Sequence, residues 1–332
     1  MSNVKLYFCL GGKFMRKVYL LIGLMALASL AYADNDSKWT GQIVPRVEIE
    51  DTNNYGSDEA HPTWVTKITG NLKHKDHPNW TFIYELRQDE YNTPHLFDNV
   101  DGNTKYRVYP GIKYSRKVTD KLTLGLALRD RWQLLENSKE ETLWKVNSWR
   151  LIPNFSYNVT DKLELHTQVM FFKDIFYDRG SDLASSKRQR NFDGYEIYSG
   201  FTYRFAPGCF FLADYWEESI DFEHDNLGDD KSKHQQIRPT LSIKVSEKNT
   251  VEFYGRIQIL NGEMKRDNEG KVRTKYERER DRYGVDFIHR FSPNFVLNVG
   301  VATEPNVKVK NYDGTVSKYD WFYYTGRIVY KF

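Results

Sequence analysis

Apolar and polar side chains alternate along most of this chain in long uninterrupted runs. Successive side chains of a strand point to opposite faces of its sheet, so a period of two predicts strands with one apolar and one polar face. The last run shows the pattern clearly, with every second position occupied by Phe322, Tyr324, Gly326, Ile328, Tyr330 and Phe332. Fourteen such runs can be counted, and the sequence therefore predicts an all-β fold.

Tight-turn signals separate the runs at regular intervals. The pentapeptide Val-Thr-Asp-Lys-Leu occurs twice, at Val118–Leu122 and Val159–Leu163. Comparable signals follow the same spacing at His74–Pro78, Ala206–Gly208, Ser246–Asn249 and Ser292–Asn294. The interval is about 42 residues, which is also the period of a β-propeller blade. A blade needs four short strands and its own Gly-His…Trp-Asp motif, which the chain lacks, so the spacing favours seven two-stranded hairpins.

The length of the runs points to a membrane. Each has about ten residues or more, which is what a tilted strand needs to cross a bilayer. Aromatic residues gather near the run ends, as in interfacial girdles, at Trp39, Trp64, Trp80, Tyr84, Tyr106, Tyr114, Tyr203, Phe205, Phe291, Tyr324 and Phe332. Backbone groups in lipid must all be paired, so the sheet has to close. The predicted fold is a transmembrane antiparallel up-and-down β-barrel of fourteen strands spanning residues 34–332.

The connections are of two kinds, short turns and long polar segments. The long segments are Asp51–Pro62, Tyr91–Asn103, Glu136–Glu141, Asp174–Asn191, Asp221–Lys233, Asn261–Lys275 and Pro305–Lys318. Short turns on one side and long loops on the other are typical of outer-membrane barrels, with both termini on the short-turn, periplasmic side. Pro45 and Pro110 occupy outward positions within runs, where each removes a ladder donor, and we expect a local bulge at each.

The first 33 residues have the pattern of a leader with a signal peptide. Met15, the predicted start, is followed by two basic residues, an apolar stretch from Val18 to Leu30, and small residues at positions 31 and 33. Cleavage is expected after Ala33. The alternative is an uncleaved anchor.

Composition changes the picture in three respects. No run in the body of the chain approaches the ~20 apolar residues of a spanning helix, which excludes a helical membrane protein. The net charge of +3 falls to −1 without the four basic residues of the leader, so no nucleic-acid partner is expected. Cys9 belongs to the leader, and Cys209 alone cannot form an internal disulfide.

Charged residues on the predicted inward face indicate a water-filled lumen. An unpaired charge in an apolar interior costs several kcal/mol, whereas a barrel of fourteen strands leaves room for water. The predicted pore-lining residues are Arg46, Glu48, Lys67, Glu85, Arg107, Lys113, Arg150, Glu164, Glu196, Arg204, Asp214, Arg238, Glu252, Arg256 and Arg327. Their basic excess favours anionic or polar solutes. Alternatively, these charges pair along the wall and only line water.

Two segments resemble the monomeric, fourteen-stranded porins of the OmpG type. They are "WRLIPNFSYNVTDKLEL" at Trp149–Leu165 and "YYTGRIVYKF" at Tyr323–Phe332. The resemblance implies a non-selective channel for sugars and small oligosaccharides that works as a monomer. We expect it to pass other small polar solutes too and to need no metal or cofactor. The acidic-oligosaccharide channels of the KdgM type, which have fewer strands, provide the alternative function. Partners would be outer-membrane lipid and lipopolysaccharide.

The resemblance also implies candidate gating and assembly residues. The sixth outer loop of the family folds into the pore, and by order it corresponds here to Asn261–Arg280, with gating candidates Lys265, Arg266, Lys271, Arg273 and Arg278. Family members can close at low pH through a His pair; Arg278 aligns with one of those positions and no His aligns with the other. Tyr330 and Phe332 resemble the C-terminal signal read by the barrel-assembly machinery.

Some outer-membrane barrels are hydrolases, and this alternative needs Ser, Asp and His residues placed together at the outer rim. His289 lies beside Ser292 at the predicted periplasmic end, which is the wrong leaflet. The remaining candidates are His95, His224 and His234, near Asp98, Asp221 and Asp225. No metal-ligand spacing, phosphate loop or catalytic elbow occurs, so we expect no enzyme.

Overall fold

The computed structural model describes residues 38–52, 62–91, 102–139, 141–179, 191–222, 230–266, 272–310 and 315–332. Nearly all of these residues lie in strands. The strands are β1 (Trp39–Thr52), β2 (Thr63–His74), β3 (Trp80–Glu90), β4 (Thr104–Val108), β5 (Gly111–Lys117), β6 (Leu122–Glu136), β7 (Thr142–Asn158), β8 (Leu163–Arg179), β9 (Phe192–Ala206), β10 (Cys209–Phe222), β11 (Asp230–Lys244), β12 (Asn249–Arg266), β13 (Val272–Glu279), β14 (Arg282–Arg290), β15 (Phe295–Lys310) and β16 (Val316–Lys331). A search of these ranges for a helix with the length and hydropathy of a membrane span finds none.

The strands form one closed antiparallel sheet. Strands that are consecutive in sequence pair with each other, except that β4 does not pair with β5 and β13 does not pair with β14, and β16 returns to pair with β1. Backbone hydrogen bonds join Gly41 and Phe332 in both directions, at 3.0 and 3.1 Å. β4 and β5 are two parts of one wall strand, as are β13 and β14, since each pair lies between the same two neighbours. The wall therefore has fourteen strands, and the predicted fold class is confirmed.

Neither proline within a predicted strand causes a bulge, so that expectation is wrong. Pro110 separates β4 from β5, yet the pairs Leu86↔Val108 and Ile83↔Gly111 on either side keep the same register. β1 likewise pairs without a shift through Pro45. A proline lacks only the backbone N–H, and here the neighbouring hydrogen bonds are sufficient to hold the register.

Four turns at one end of the barrel are built in the same way. In the first, the Thr119 hydroxyl accepts hydrogen bonds from the N–H groups of Lys121 and Leu122, at 3.2 and 3.0 Å. The same bonds recur at Thr160, Ser246 and Ser292. A hydroxyl that satisfies two backbone donors stabilises a tight turn. The repeated pentapeptide therefore encodes one turn that the chain uses four times, with Ser in place of Thr in two of them.

At the opposite end, the strands are longer than the sequence pattern suggested. β8 continues to Arg179, β12 to Arg266 and β15 to Lys310, so the predicted loops Asp174–Asn191, Asn261–Lys275 and Pro305–Lys318 are wrong in their extent. Beyond the apolar band, both sheet faces carry polar residues, and the alternation that identifies a strand disappears. Most of the register shifts also lie near this end.

One face of the wall presents apolar side chains to the outside. Leu124, Leu126 and Leu128 of β6 are 45–47 % exposed. Aromatic residues flank this band near the tight turns, where the rings of Trp80 and Tyr114 lie 4.9 Å apart. Tyr106 differs from the predicted girdle residues, because it is 1 % exposed and packs with Leu134. An exposed aliphatic band of this extent, flanked by aromatic residues, is typical of a barrel surface in contact with lipid.

Candidate functional site

The face opposite the apolar band, here called the polar face, is the concave side of the wall. Its side chains make contacts that pass over intervening strands. The Tyr109 hydroxyl beside β4 lies 3.7 Å from Met170 Sδ on β8, although β6 and β7 run between them. Asp214 on β10 similarly reaches His166 on β8, at 2.6 Å, across β9. Side chains converge in this way only inside a curved sheet, so the polar face surrounds the interior of the barrel.

All fifteen residues predicted to line a pore share the polar face, by strand register and alternation. They form four groups. The first group lies on β16, β1, β2, β3 and β4 and consists of Arg327, Arg46, Lys67, Arg107, Glu48 and Glu85. The second group is Arg150 on β7, the third is Glu196, Asp214, Arg238 and Arg256 on β9 to β12, and the fourth, near the tight turns, is Lys113, Glu164, Arg204 and Glu252. Their role in conduction stays a prediction.

The four basic residues of the first group, together with Arg87, form a row of five that face one another directly on adjacent strands, here called the basic row. In order they are Arg327, Arg46, Lys67, Arg87 and Arg107. Like charges in such positions repel one another, and neighbouring carboxylates offset the repulsion. Glu48 pairs with Arg46, while Glu85 binds Lys67 at 2.9 Å and Arg107 at 3.5 Å. Asp89 pairs with Arg87 at 2.5 Å, and Asp286 lies 4.0 Å from Arg327.

The second group surrounds the ring of Tyr109. The Arg129 guanidinium stacks 3.3 Å from the ring centroid and donates a 2.8 Å hydrogen bond to the Tyr109 carbonyl. Arg150 approaches the same ring at 5.6 Å and pairs with Asp174 at 3.6 Å. Arg131 also pairs with Asp174. Cation–π contact holds these guanidinium groups in place where carboxylates are fewer than cations.

The third group combines arginines with aromatic rings. Arg238 on β11 lies 4.0 Å from the ring of Trp216 and donates a 3.1 Å hydrogen bond to the Tyr198 hydroxyl. Glu196 accepts the indole N–H of Trp216 at 2.6 Å. Arg256 is the cross-strand partner of Arg282. Nearby, the Arg282 guanidinium lies 3.5 Å from the ring of Tyr323 and 2.6 Å from Glu304.

The fourth group lies toward the tight turns and is mostly paired. Arg204 binds Glu164 at 2.7 Å, and Ser242 donates to Glu252 at 3.1 Å. Lys113 lines a recess of about 600 Å³ together with Lys73 and Lys331. This end of the barrel therefore carries a cluster of positive charge.

Several charged residues of the polar face were missed at the level of sequence. They are Asp89, Lys105, Arg131, Asp174 and Arg282. The sequence pattern predicts a loop from Asp174 onward, whereas this residue lies within β8. Continuing the alternation a few residues past the apolar band would have found them.

The predicted gating segment runs along β12 and β13, which pair with each other from Gly262↔Glu277 outward. The side chains of Lys265, Arg266, Arg273 and Arg278, and all of Lys271, lie outside the described residues. The same holds for the leader with Met15 and Ala33, and for His95, Asp98, His224 and Asp225. The gating and leader assignments stay predictions.

Comparison with known proteins identifies the fold. No protein-family model and no curated protein matches the chain. Among solved structures, the toluene transporter TodX of Pseudomonas putida is 11% identical, with 92% of this chain and 91% of that chain covered at a TM-score of 0.52. The toluene transporter TbuX of Ralstonia pickettii is 10% identical, with 89% and 90% covered at 0.51. The monoaromatic hydrocarbon channel CymD is 9% identical, with 93% of this chain and 92% of that chain covered at a TM-score of 0.52.

At these sequence identities the similarity concerns the fold alone. The resemblance to OmpG-type porins therefore stays a prediction, and what is established is a barrel fold shared with these channel proteins.

Proposed function

We propose that this protein is a passive diffusion channel of a bacterial outer membrane for sugars, oligosaccharides and other small polar solutes. The proposal rests mainly on one observation, the concave polar face. Ionised side chains line it on every part of the described wall, and they are paired mainly with one another in the plane of the wall. In a dry core such a density of charge would cost several kcal/mol for each incompletely paired group. Water in the interior removes that cost.

The outer face supports a membrane location. Leu124, Val299 and Ile328 belong to a broad set of apolar side chains exposed on the convex side. A soluble monomer rarely exposes so large an apolar surface. This surface supports the proposed location in the outer membrane, with lipid and lipopolysaccharide around the barrel. The monomeric state and assembly by the barrel-assembly machinery are further parts of the proposal and follow from the resemblance to OmpG-type porins.

The structural neighbours TodX, TbuX and CymD carry toluene or other monoaromatic hydrocarbons, but the polar face of this chain does not suit such solutes. A hydrocarbon gains free energy by leaving water for an apolar surface. The polar face offers ion pairs instead, and its rings at Tyr109, Trp216 and Tyr323 are covered by guanidinium groups at 3.3 to 4.0 Å. Polar solutes are therefore the better match.

We propose no enzymatic activity. His289 Nδ1 lies 2.7 Å from Asn249 Oδ1, and Ser292 Oγ accepts backbone hydrogen bonds of its own turn. Each side chain thus has a structural partner. Hydrolysis of phospholipid or peptide by the purified barrel would overturn this part of the proposal.

The function can be tested with purified protein in proteoliposomes and planar bilayers. Stepwise single-channel currents in KCl, and swelling of liposomes in glucose and maltose, are the expected results. Heat-denatured protein reconstituted in the same way is the control. Liposomes that admit toluene but do not swell in sugars would contradict the proposal, as would the absence of any conductance.

A further inference from the structure

We propose that Arg238, Arg256 and Arg282 form a binding site in the channel for a small solute that carries an oxyanion, a carboxylate or a phosphate. This inference rests on the proposed channel function and adds a class of solute to it. The three residues occupy adjacent strands of the polar face, β11, β12 and β14.

The three arginines lie side by side in the wall. Arg256 faces Arg282 directly across the β12–β14 pair. On the other side, the pairs Ile237↔Ile257 and Thr240↔Tyr254 place Arg238 opposite Arg256. Like charges in directly opposed positions destabilise a sheet. The arrangement therefore has a folding cost that calls for a compensating interaction.

The carboxylates nearby do not supply that compensation in full. Glu304 is shared between Arg280, at 2.5 Å, and Arg282, at 2.6 Å. Asp214, the cross-strand partner of Arg238, is hydrogen-bonded to His166 instead. Arg256 makes no hydrogen bond or ion pair with any residue in the described part of the chain. No described residue accepts a hydrogen bond from Arg256, and the oxygens of a bound oxyanion would supply acceptors.

Aromatic rings hold the flanking arginines in position. Trp216 lies against Arg238 and Tyr323 against Arg282. A ring that covers the flat face of a guanidinium restricts its motion and leaves the N–H groups, which lie in the guanidinium plane, able to donate hydrogen bonds. Some of these donors are already used, because Arg238 donates to Gln236 and Tyr198 and Arg282 donates to Glu304. The Tyr323 ring therefore holds the Arg282 guanidinium in one orientation, and the Trp216 ring does the same for Arg238. Arg256 lies between these two arginines and has no ring against it.

The chemistry of the site selects its ligand. Arginine binds carboxylate and phosphate through two parallel N–H···O bonds, and a neutral hydroxyl cannot use this geometry. A monovalent halide gains attraction but not the paired hydrogen bonds. We therefore expect preference for an acidic sugar or a sugar phosphate over a neutral sugar of the same size.

The test is block of single-channel KCl current by three solutes that share one ring: glucose, glucuronate and glucose 1-phosphate. The wild type is expected to be blocked by one or both charged solutes and not by glucose. Arg256→Gln should raise the half-blocking concentration about tenfold, the effect of losing a charged hydrogen-bond pair. Arg256→Lys retains the charge and should raise it less. Arg116→Gln removes a charge from the apolar face and is the matched control.

Each outcome separates this inference from the channel function. Block by the charged solutes that Arg256→Gln weakens and Arg116→Gln leaves unchanged supports the site. A response to only one charged solute tells whether carboxylate or phosphate is the natural group. Equal block by glucose, or block unchanged in Arg256→Gln, overturns the site while conductance still supports the channel. A wild type without conductance overturns the channel and the site together.

Discussion

Gly200 occupies a position on the polar face that no larger residue could fill. A Cβ built there would lie 2.1 Å from the Ala213 carbonyl oxygen and 2.4 Å from Asp214 Oδ1. The absence of a side chain lets Asp214 pass over β9 to reach His166. Gly200→Ala should therefore lower the free energy of unfolding by about 1–3 kcal/mol, as overpacking does.

Urea unfolding in detergent micelles, followed by tryptophan fluorescence, measures this change. Gly326→Ala is the matched control, because nothing lies within 4 Å of a Cβ built at Gly326. We expect that variant to be as stable as the wild type. Equal stability of the two variants would show that the space at Gly200 is not constrained.

Glu85 balances two cations of the basic row. It is 8% exposed and pairs with both Lys67 and Arg107. Glu85→Gln leaves their charge uncompensated in the channel, so the preference for anions should increase. The reversal potential in a tenfold KCl gradient should move toward the chloride value by several millivolts. Glu247→Gln, in an exposed tight turn, should leave it unchanged, and a shift of the same size there would exclude a local effect.

The sequence predicted which face of the sheet an individual side chain lies on, but it did not predict which residue that side chain contacts. Alternation alone places Asp214 and Arg238 on the polar face. That Asp214 bonds to His166 rather than to Arg238 depends on a glycine in the strand between, a three-dimensional condition that a pattern of period two does not contain.

Pro110 leaves one position of the barrel ladder without a donor. The Asp130 N–H donates to the Pro110 carbonyl at 3.0 Å, and the bond in the other direction is absent because proline has no N–H. Pro110→Val supplies that donor, and a backbone hydrogen bond in a membrane environment contributes about 1 kcal/mol or more. Pro110→Val should therefore be more stable than a proline variant that gains no such bond.

Replacing proline also raises the conformational entropy of the unfolded chain, which lowers the free energy of unfolding by about 0.4–1 kcal/mol. Pro62→Val, just before β2, carries that cost without a ladder bond. The difference in unfolding free energy between Pro110→Val and Pro62→Val therefore isolates the hydrogen bond. No difference would mean that the Asp130 carbonyl already has another partner.

The closing pair of strands depends on the last residue. Phe332 exchanges two backbone bonds with Gly41, and its ring stacks on Tyr330 at 6.4 Å. If Tyr330 and Phe332 are the assembly signal, Phe332→Ala should lower the folded fraction of the protein in the membrane several-fold. Heat-modifiable migration on a gel measures that fraction. Phe291→Ala, an exposed aromatic at the same end, should have a much smaller effect; equal losses would argue against a terminal signal.

The elements were predicted well within the apolar band and poorly beyond it. Fourteen wall strands and six tight turns follow from alternation and from turn residues such as Pro207 and Gly208. The outer ends of β8, β12 and β15 could not be predicted, because a strand with water on both faces needs no alternation.

At the scale of the whole molecule, the convex surface requires detergent or lipid. We expect the purified chain to be monodisperse in micelles, with the mass of one copy, and to aggregate when detergent is removed. Sedimentation with matched detergent density gives both results. A soluble monomer in plain buffer would contradict the membrane assignment, and a trimer in micelles would contradict the monomer.

The four hydroxyl-bonded turns have a consequence for how such a barrel can change size. Each strand pair that they join is closed at one end by its own short-range bonds and contacts only its immediate neighbours on either side. Removing or duplicating one complete pair would leave every other turn intact and alter the circumference by two strands. A narrower or wider bore is thus accessible by a single in-frame deletion or duplication, without redesign of the remaining chain.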